Sequence, residues 1–228
     1  MYSPRTSARA AGIFYLITHV TSVAAVLLYA PTLADPAAGG TNAVLVGTVL
    51  DTILAFAVVG TSLALYPLIR RTSEGFALGY VALRTLEAAV ILTGVVALAA
   101  AMNVRGTEFS APLIELYTLT FIVGPGFVCA LNTVVLAWLL YRSKLVPRFI
   151  PILGLVGGPL VLLVNLGKLF DLPVEWAGFT VVPIFAWEIC LAIFLIVRGL
   201  REPAETGAVP APAAFEKFID AVTRVKIR

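Results

Sequence analysis

Six long apolar runs follow one another along the chain, each closed by a short polar or Pro/Gly-containing stretch. They cover about residues 10–30, 43–69, 76–102, 113–141, 149–169 and 177–200. Each holds roughly 20 residues or more, enough to cross the roughly 30 Å hydrocarbon core of a bilayer as a helix. The pattern predicts an all-α polytopic membrane protein, a bundle of six transmembrane helices within residues 1–201. Residues 31–42 and 103–112 read as loops, and 70–75 as a tight turn. The sixth helix starts either at Ala177 or, since proline favours a first turn, near Pro183. Gly124-Pro125-Gly126 falls in the middle of the fourth run, where proline removes a backbone donor and should kink the helix. Gly157-Gly158-Pro159 should interrupt the fifth in the same way.

Two ends of the chain need separate treatment. The first run follows a short basic segment, as a signal peptide would, and Thr32-Leu33-Ala34 resembles a cleavage site. Its length and the His19 at its middle instead predict an uncleaved first helix. After the sixth run, residues 202–212 form a Pro/Ala-rich linker. Phe215, Phe218, Ile219, Val222 and Val225 then recur at helical spacing, with charged residues between them. Residues 213–228 thus read either as a cytoplasmic amphipathic helix lying on the membrane or as a frayed tail that orders only against the bundle.

Composition agrees with the pattern. Sixty per cent of the residues are apolar and 13% charged, against about half and a quarter in soluble domains. Charge adds the orientation. Thirteen of the 16 Lys and Arg residues fall on one side of the six-helix arrangement, Arg105 and Lys168 on the other, and Arg84 within a span. The positive-inside rule places both termini in the cytoplasm. The net charge of +3 is then a topology signal, and no nucleic-acid partner is expected.

Within the runs a few polar residues stand out. Arg84 and Glu87 interrupt the third, and intramembrane charges are costly enough to face a bundle interior, find partners, and mark a packing device or a site. Counting inward from the basic boundaries at 1.5 Å per residue puts His19, Arg84, Asn132 and Glu188 about 14–15 Å deep, with Glu87 one turn further. Four helices therefore bring their most polar side chains to one midplane layer. Gly12, Tyr15, His19 and Ser22 follow one stripe of the first helix, and Tyr80, Arg84 and Glu87 one stripe of the third. Arg84 should pair with one of the two carboxylates. The other acid is then protonated or matched by a protonated His19. His19, Arg84, Glu87, Asn132 and Glu188 are the candidate ligand-binding residues.

Other chemistry finds little support. One His and two distant Cys, Cys129 and Cys190, give no metal-ligand spacing. Neither a mid-depth lysine nor a glycine-rich phosphate loop is present, so no cofactor and no metal is expected. Asp51, near Thr48 and Thr52, reads either as lining an outer vestibule or as a membrane-end residue with access to water. Glu115, Asn165 and Lys168 read as snorkelling polar ends.

The segments Ala8-Arg9-Ala-Ala-Gly12-Ile-Phe-Tyr15, Arg84-x-x-Glu87, Tyr141-Arg-Ser-Lys-Leu-Val-Pro147-Arg148 and Glu188 with Arg198-Gly199 together resemble bacterial integral membrane proteins of domain-of-unknown-function family 4386. The resemblance reaches to about Leu200. It implies a multi-pass bundle in the bacterial inner (plasma) membrane, and it carries no activity, cofactor or catalytic residue. Where many members of that family have a histidine in the fourth span, this chain has Gly124-Pro-Gly and later Asn132.

The functional expectation is the binding or transport of a lipophilic small molecule, a lipid or protons at the midplane cluster, with membrane lipids as partners. An intramembrane enzyme acting on a lipophilic substrate and a structural or accessory subunit are the alternatives.

Overall fold

The computed structural model describes residues 3–174 and 177–200; the 202–212 linker and the 213–228 amphipathic helix lie outside the described residues. Six helices are long and apolar enough to cross a membrane: α1 (Pro4–Ala34), α2 (Thr41–Ile69), α3 (Glu74–Asn103), α4 (Ser110–Ser143), α5 (Phe149–Leu169) and α6 (Ala177–Val197). Local chemistry sets several of their ends. Ser3 caps α1, its Oγ accepting from the Thr6 amide at 3.2 Å, and Pro4 occupies the first turn, where no amide is needed. Lys144, left-handed at φ 56°, ends α4, and Gly199 at φ 70° follows α6. Helix α1 runs past Pro31 to Ala34, so part of the expected first loop is helical. The sixth helix begins at Ala177, with Pro183 inside it.

The helices form a closed ring in chain order, each packed on the next and α6 packed back on α1. What turns inward is mostly small or polar. The buried face of α1 reads Ala8, Ala11, Gly12, Tyr15, Thr18, Thr21, Ala25, Tyr29 and Thr32, while Val20, Val23 and Leu27 face outward and exposed. This is the inverse of a soluble amphipathic helix. Lipid tails are as apolar as leucine, so close backbone approach and hydrogen bonding drive assembly instead. A Cβ on Gly12 would come within 2.6 Å of the Ala192 carbonyl oxygen, and one on Gly157 within 2.8 Å of the Ile184 amide. Several buried threonines satisfy their hydroxyls within their own helices, as Thr18 does on the Tyr15 carbonyl and Thr61 on Ala57.

All six helices share one core at the end where α1 begins and α6 finishes, built around Tyr15, Leu65, Tyr80, Leu136, Leu140, Ile150, Trp187 and Leu191. A second core, at the opposite end, draws on α1 to α4 through Tyr29, Val44, Leu98, Ile114 and Tyr117.

The two proline breaks differ from expectation and from each other. In α4 the segment Ile122–Val128 is a π-helix around Pro125. The wider turn makes room for the ring and absorbs the missing donor, so the break takes the form of a π-bulge. Helix α5 is not interrupted: Phe149–Leu169 is continuous through Pro159. Gly157 and Gly158 serve packing there, Gly157 against Ile184 and Gly158 against Val134 and the Ala130 carbonyl.

Candidate functional site

The polar side chains of α1, α3, the second half of α4, and α6 meet in one layer. Tyr80, Arg84 and Glu87 lie on one face of α3 because they are four and three residues apart, and all three are buried. The Arg84 Nη1 donates to Glu87 Oε2 at 3.0 Å. Asn132, one helix over, donates its Nδ2 to the same oxygen at 2.7 Å. Arg84 is only 2% exposed and Glu87 4%, so the pair is bound in a poorly solvated interior, where an unmatched charge is strongly disfavoured.

The second acid has a different partner. The His19 Nε2 stands 3.3 Å from Glu188 Oε2, joining α1 to α6. On the other side of the ring, Nδ1 is 2.9 Å from the Tyr15 carbonyl oxygen. A carbonyl can only accept, so Nδ1 carries its hydrogen and donates. Nε2 is thereby left facing the Glu188 carboxyl across 3.3 Å, the geometry of an ion pair when the imidazole is protonated. The His19 and Glu188 side chains retain 10% and 16% exposure, so this pair sits nearer the edge of the bundle than Arg84 and Glu87 do. Phe185 covers the imidazole edge-on at 4.7 Å.

Tyrosines connect the two pairs. The Arg84 guanidinium lies over the Tyr15 ring, 5.5 Å from its centroid, a cation–π contact that gains strength in a desolvated place. The Tyr15 and Tyr80 hydroxyls are 3.1 Å apart. The structure thus sets Arg84 and Asn132 on Glu87, and His19 on Glu188, with Tyr15 between the two groups.

One feature of Arg84 stands out chemically. Its Nε and Nη2 are buried and have no hydrogen-bond partner among the described residues. These two atoms form the side edge of the guanidinium, where two parallel N–H groups match the oxygens of a carboxylate or phosphate. Glu87 bonds only to Nη1, and leaves that edge free.

The remaining candidates separate. Glu115 and Lys168 are exposed, consistent with polar ends. Asn165 is half-buried, bonded to the Val161 carbonyl at 2.8 Å and packed against Gly126, so it is a packing residue of the α4–α5 seam rather than a snorkelling end. Cys129 and Cys190 are free and partly buried. Asp51 has no access to water: it is 1% exposed and accepts from the Tyr117 hydroxyl at 3.0 Å. The sequence reading missed its partners Tyr117 and Tyr29, whose only signal is a polar tip within an apolar run. No group of three or more His, Cys, Asp or Glu among the described residues could hold a metal ion.

Comparison with known proteins gives one match. The family model described as Domain of unknown function (DUF4386) covers residues 10–199. Neither the curated proteins nor the solved structures contain a match.

Proposed function

The chain belongs to the DUF4386 family, and on that premise we propose that it binds, and in binding carries across or along the bilayer, a lipophilic molecule or lipid with an anionic or carbonyl headgroup. The headgroup would sit on the free edge of Arg84, within the layer formed by His19, Arg84, Glu87, Asn132 and Glu188. The observation that carries this reading is that edge: two buried N–H donors, on a group that cannot lose its charge, with no acceptor among the described residues. Native structures rarely leave such donors idle, and a ligand oxygen would satisfy both. The His19–Glu188 pair supports a role for protons in the same layer, because one proton can pass between imidazole and carboxyl without changing the pair's net charge. The excess of Lys and Arg on one side supports a membrane orientation with both chain ends in the cytoplasm. Family and architecture together support a bacterial inner membrane as the location.

Native mass spectrometry of protein released from mild detergent tests the reading, with wild type beside Arg84→Lys. Lysine keeps the charge but loses the planar fork. A specific adduct on the wild type, other than bulk lipid, and lost in the variant is the expected result. Clean protein in both samples would oppose it and favour a static cluster.

A second reading, an intramembrane enzyme, draws on the position of His19 and Glu188 nearer the bundle edge than the Arg84–Glu87 pair. A proton-exchanging pair within reach of a lipophilic substrate is a suitable acid/base. Turnover of a lipid mixture lost in both His19→Gln and Glu188→Gln would favour it over binding alone.

A further inference from the structure

The second core, away from the midplane layer, contains a polar group that the proposed function does not use. Asp51, on α2, is 1% exposed in a helix that reads as a membrane span. Its Oδ2 accepts from Tyr117 of α4 at 3.0 Å, and its Oδ1 makes no hydrogen bond of full geometry among the described residues. Tyr29 of α1 faces the same pair, its ring edge-on to that of Tyr117 with centroids 5.2 Å apart. The Tyr29 hydroxyl is also buried and, among the described residues, lacks a hydrogen bond of full geometry. Two complementary groups thus lie in one place: a carboxyl oxygen, and a phenol whose O–H donates to it when the carboxyl is ionised and whose oxygen accepts from it when the carboxyl is protonated.

The surroundings narrow what can complete the site. The titratable groups that face Asp51 are Tyr29 and Tyr117, while α3 contributes Leu98, Ala101 and Met102 to this core. Thr48 and Thr52 spend their hydroxyls on carbonyls of their own helix. No ion pair to Asp51 occurs among the described residues. A metal cation would need about six oxygens or more, and the side chains gathered here offer four, the two of Asp51 and the Tyr29 and Tyr117 hydroxyls. A proton needs only Oδ1, and a carboxyl O–H there would point its hydrogen toward the Tyr29 oxygen.

We propose that Asp51, framed by Tyr29 and Tyr117, is a reversible proton-binding site, separate from the midplane layer and independent of any ligand there. A proton from water binds Oδ1, the group becomes neutral, and Tyr117 continues to donate to Oδ2. The site is occupied at acid pH and emptied as the pH rises.

Carbon-13 NMR of the full chain in lipid nanodiscs, with the aspartate side-chain carboxyls labelled, tests this. The chain has four aspartates, Asp35, Asp51, Asp171 and Asp220, which makes assignment tractable. Among the resonances that move between the positions of a neutral and an ionised carboxyl as pH is raised, one should be absent in Asp51→Asn. Tyr117→Phe, which keeps the carboxyl, should perturb the same resonance and no other, so the assignment survives if the Asn variant fails to fold. A resonance fixed at the ionised position down to acid pH would overturn the proposal, as would one fixed at the neutral position throughout. Movement on adding sodium at constant pH would overturn it in favour of a metal cation. Arg84→Lys should leave the titration unchanged, so loss of the midplane ligand and failure of this site are told apart.

Discussion

Removing Glu87 should destabilise the bundle more than removing Arg84, although the two form one pair. Glu87→Leu strands a guanidinium that is 2% exposed and cannot shed its charge. It removes the acceptor 3.0 Å from Arg84 Nη1 and, with the same oxygen, the acceptor 2.7 Å from Asn132 Nδ2. Breaking a buried pair from one side costs about 3–5 kcal/mol, and a buried amide donor left idle adds about 1–3 kcal/mol. Arg84→Met strands a carboxyl instead, which can take up a proton and keep its bond to Asn132. Its cost should lie at about 1–3 kcal/mol. The double variant Arg84→Met with Glu87→Leu removes both charges and fills the space with apolar atoms, an exchange that is often close to neutral. It should therefore be more stable than Glu87→Leu alone, its main remaining cost the idle Asn132 donor, with a coupling of about 4–8 kcal/mol. Unfolding in mixed dodecylmaltoside and SDS micelles, followed by tryptophan fluorescence and circular dichroism on all four proteins, measures it. A cost below about 1 kcal/mol for Glu87→Leu, or a double variant equal to the sum of the singles, would show that the pair is solvated or uncoupled and refute the reasoning.

Further expectations follow from other contacts. Gly12→Ala should cost about 1–3 kcal/mol, because its Cβ meets the backbone of α6 at 2.6 Å, whereas Gly60→Ala meets the end of the Phe14 ring at 2.9 Å and should cost less; the same micelle unfolding separates them. Tyr15→Phe leaves the buried Tyr80 hydroxyl without its 3.1 Å partner and should be worse than the double change Tyr15→Phe with Tyr80→Phe, since removing both partners is nearly neutral. Arg105 ties the first loop to the end of α3, its Nη2 donating to the Ala37, Ala38 and Gly39 carbonyls at 2.7–2.9 Å. Arg105→Gln should raise amide exchange in residues 36–42 by about tenfold, the equivalent of one charged hydrogen bond, and leave α5 unchanged.

How much of this the sequence carried depends on the kind of interaction. The six apolar helices could be read because apolar length is a one-dimensional property, and the alignment of polar residues on neighbouring helices because position along a helix of fixed rise is a count. Counting also put Glu87 and Arg84 on one stripe of a helix, without saying which acid the arginine would meet. It did not say which acid His19 would meet, since that depends on α1 and α6 closing the ring across the whole chain. Pro125 and Pro159 look alike in sequence, yet one produces a π-bulge and the other an unbroken helix. What a helix does around a proline depends on its neighbours as well as on the proline itself. Asp51 was legible as a residue and illegible as a site, because Tyr29 and Tyr117 belong to helices 22 and 66 positions away, and 66 is the separation of the one bond that holds it.

A density map of the protein in lipid nanodiscs, at a resolution that defines side chains, bears most directly on the claim that the midplane layer is a binding site. The account predicts non-protein density with two oxygens within hydrogen-bond reach of Arg84 Nε and Nη2, continuing into an apolar body between the helices. A guanidinium edge met only by ordered water, or turned onto another side chain of the bundle, would contradict it.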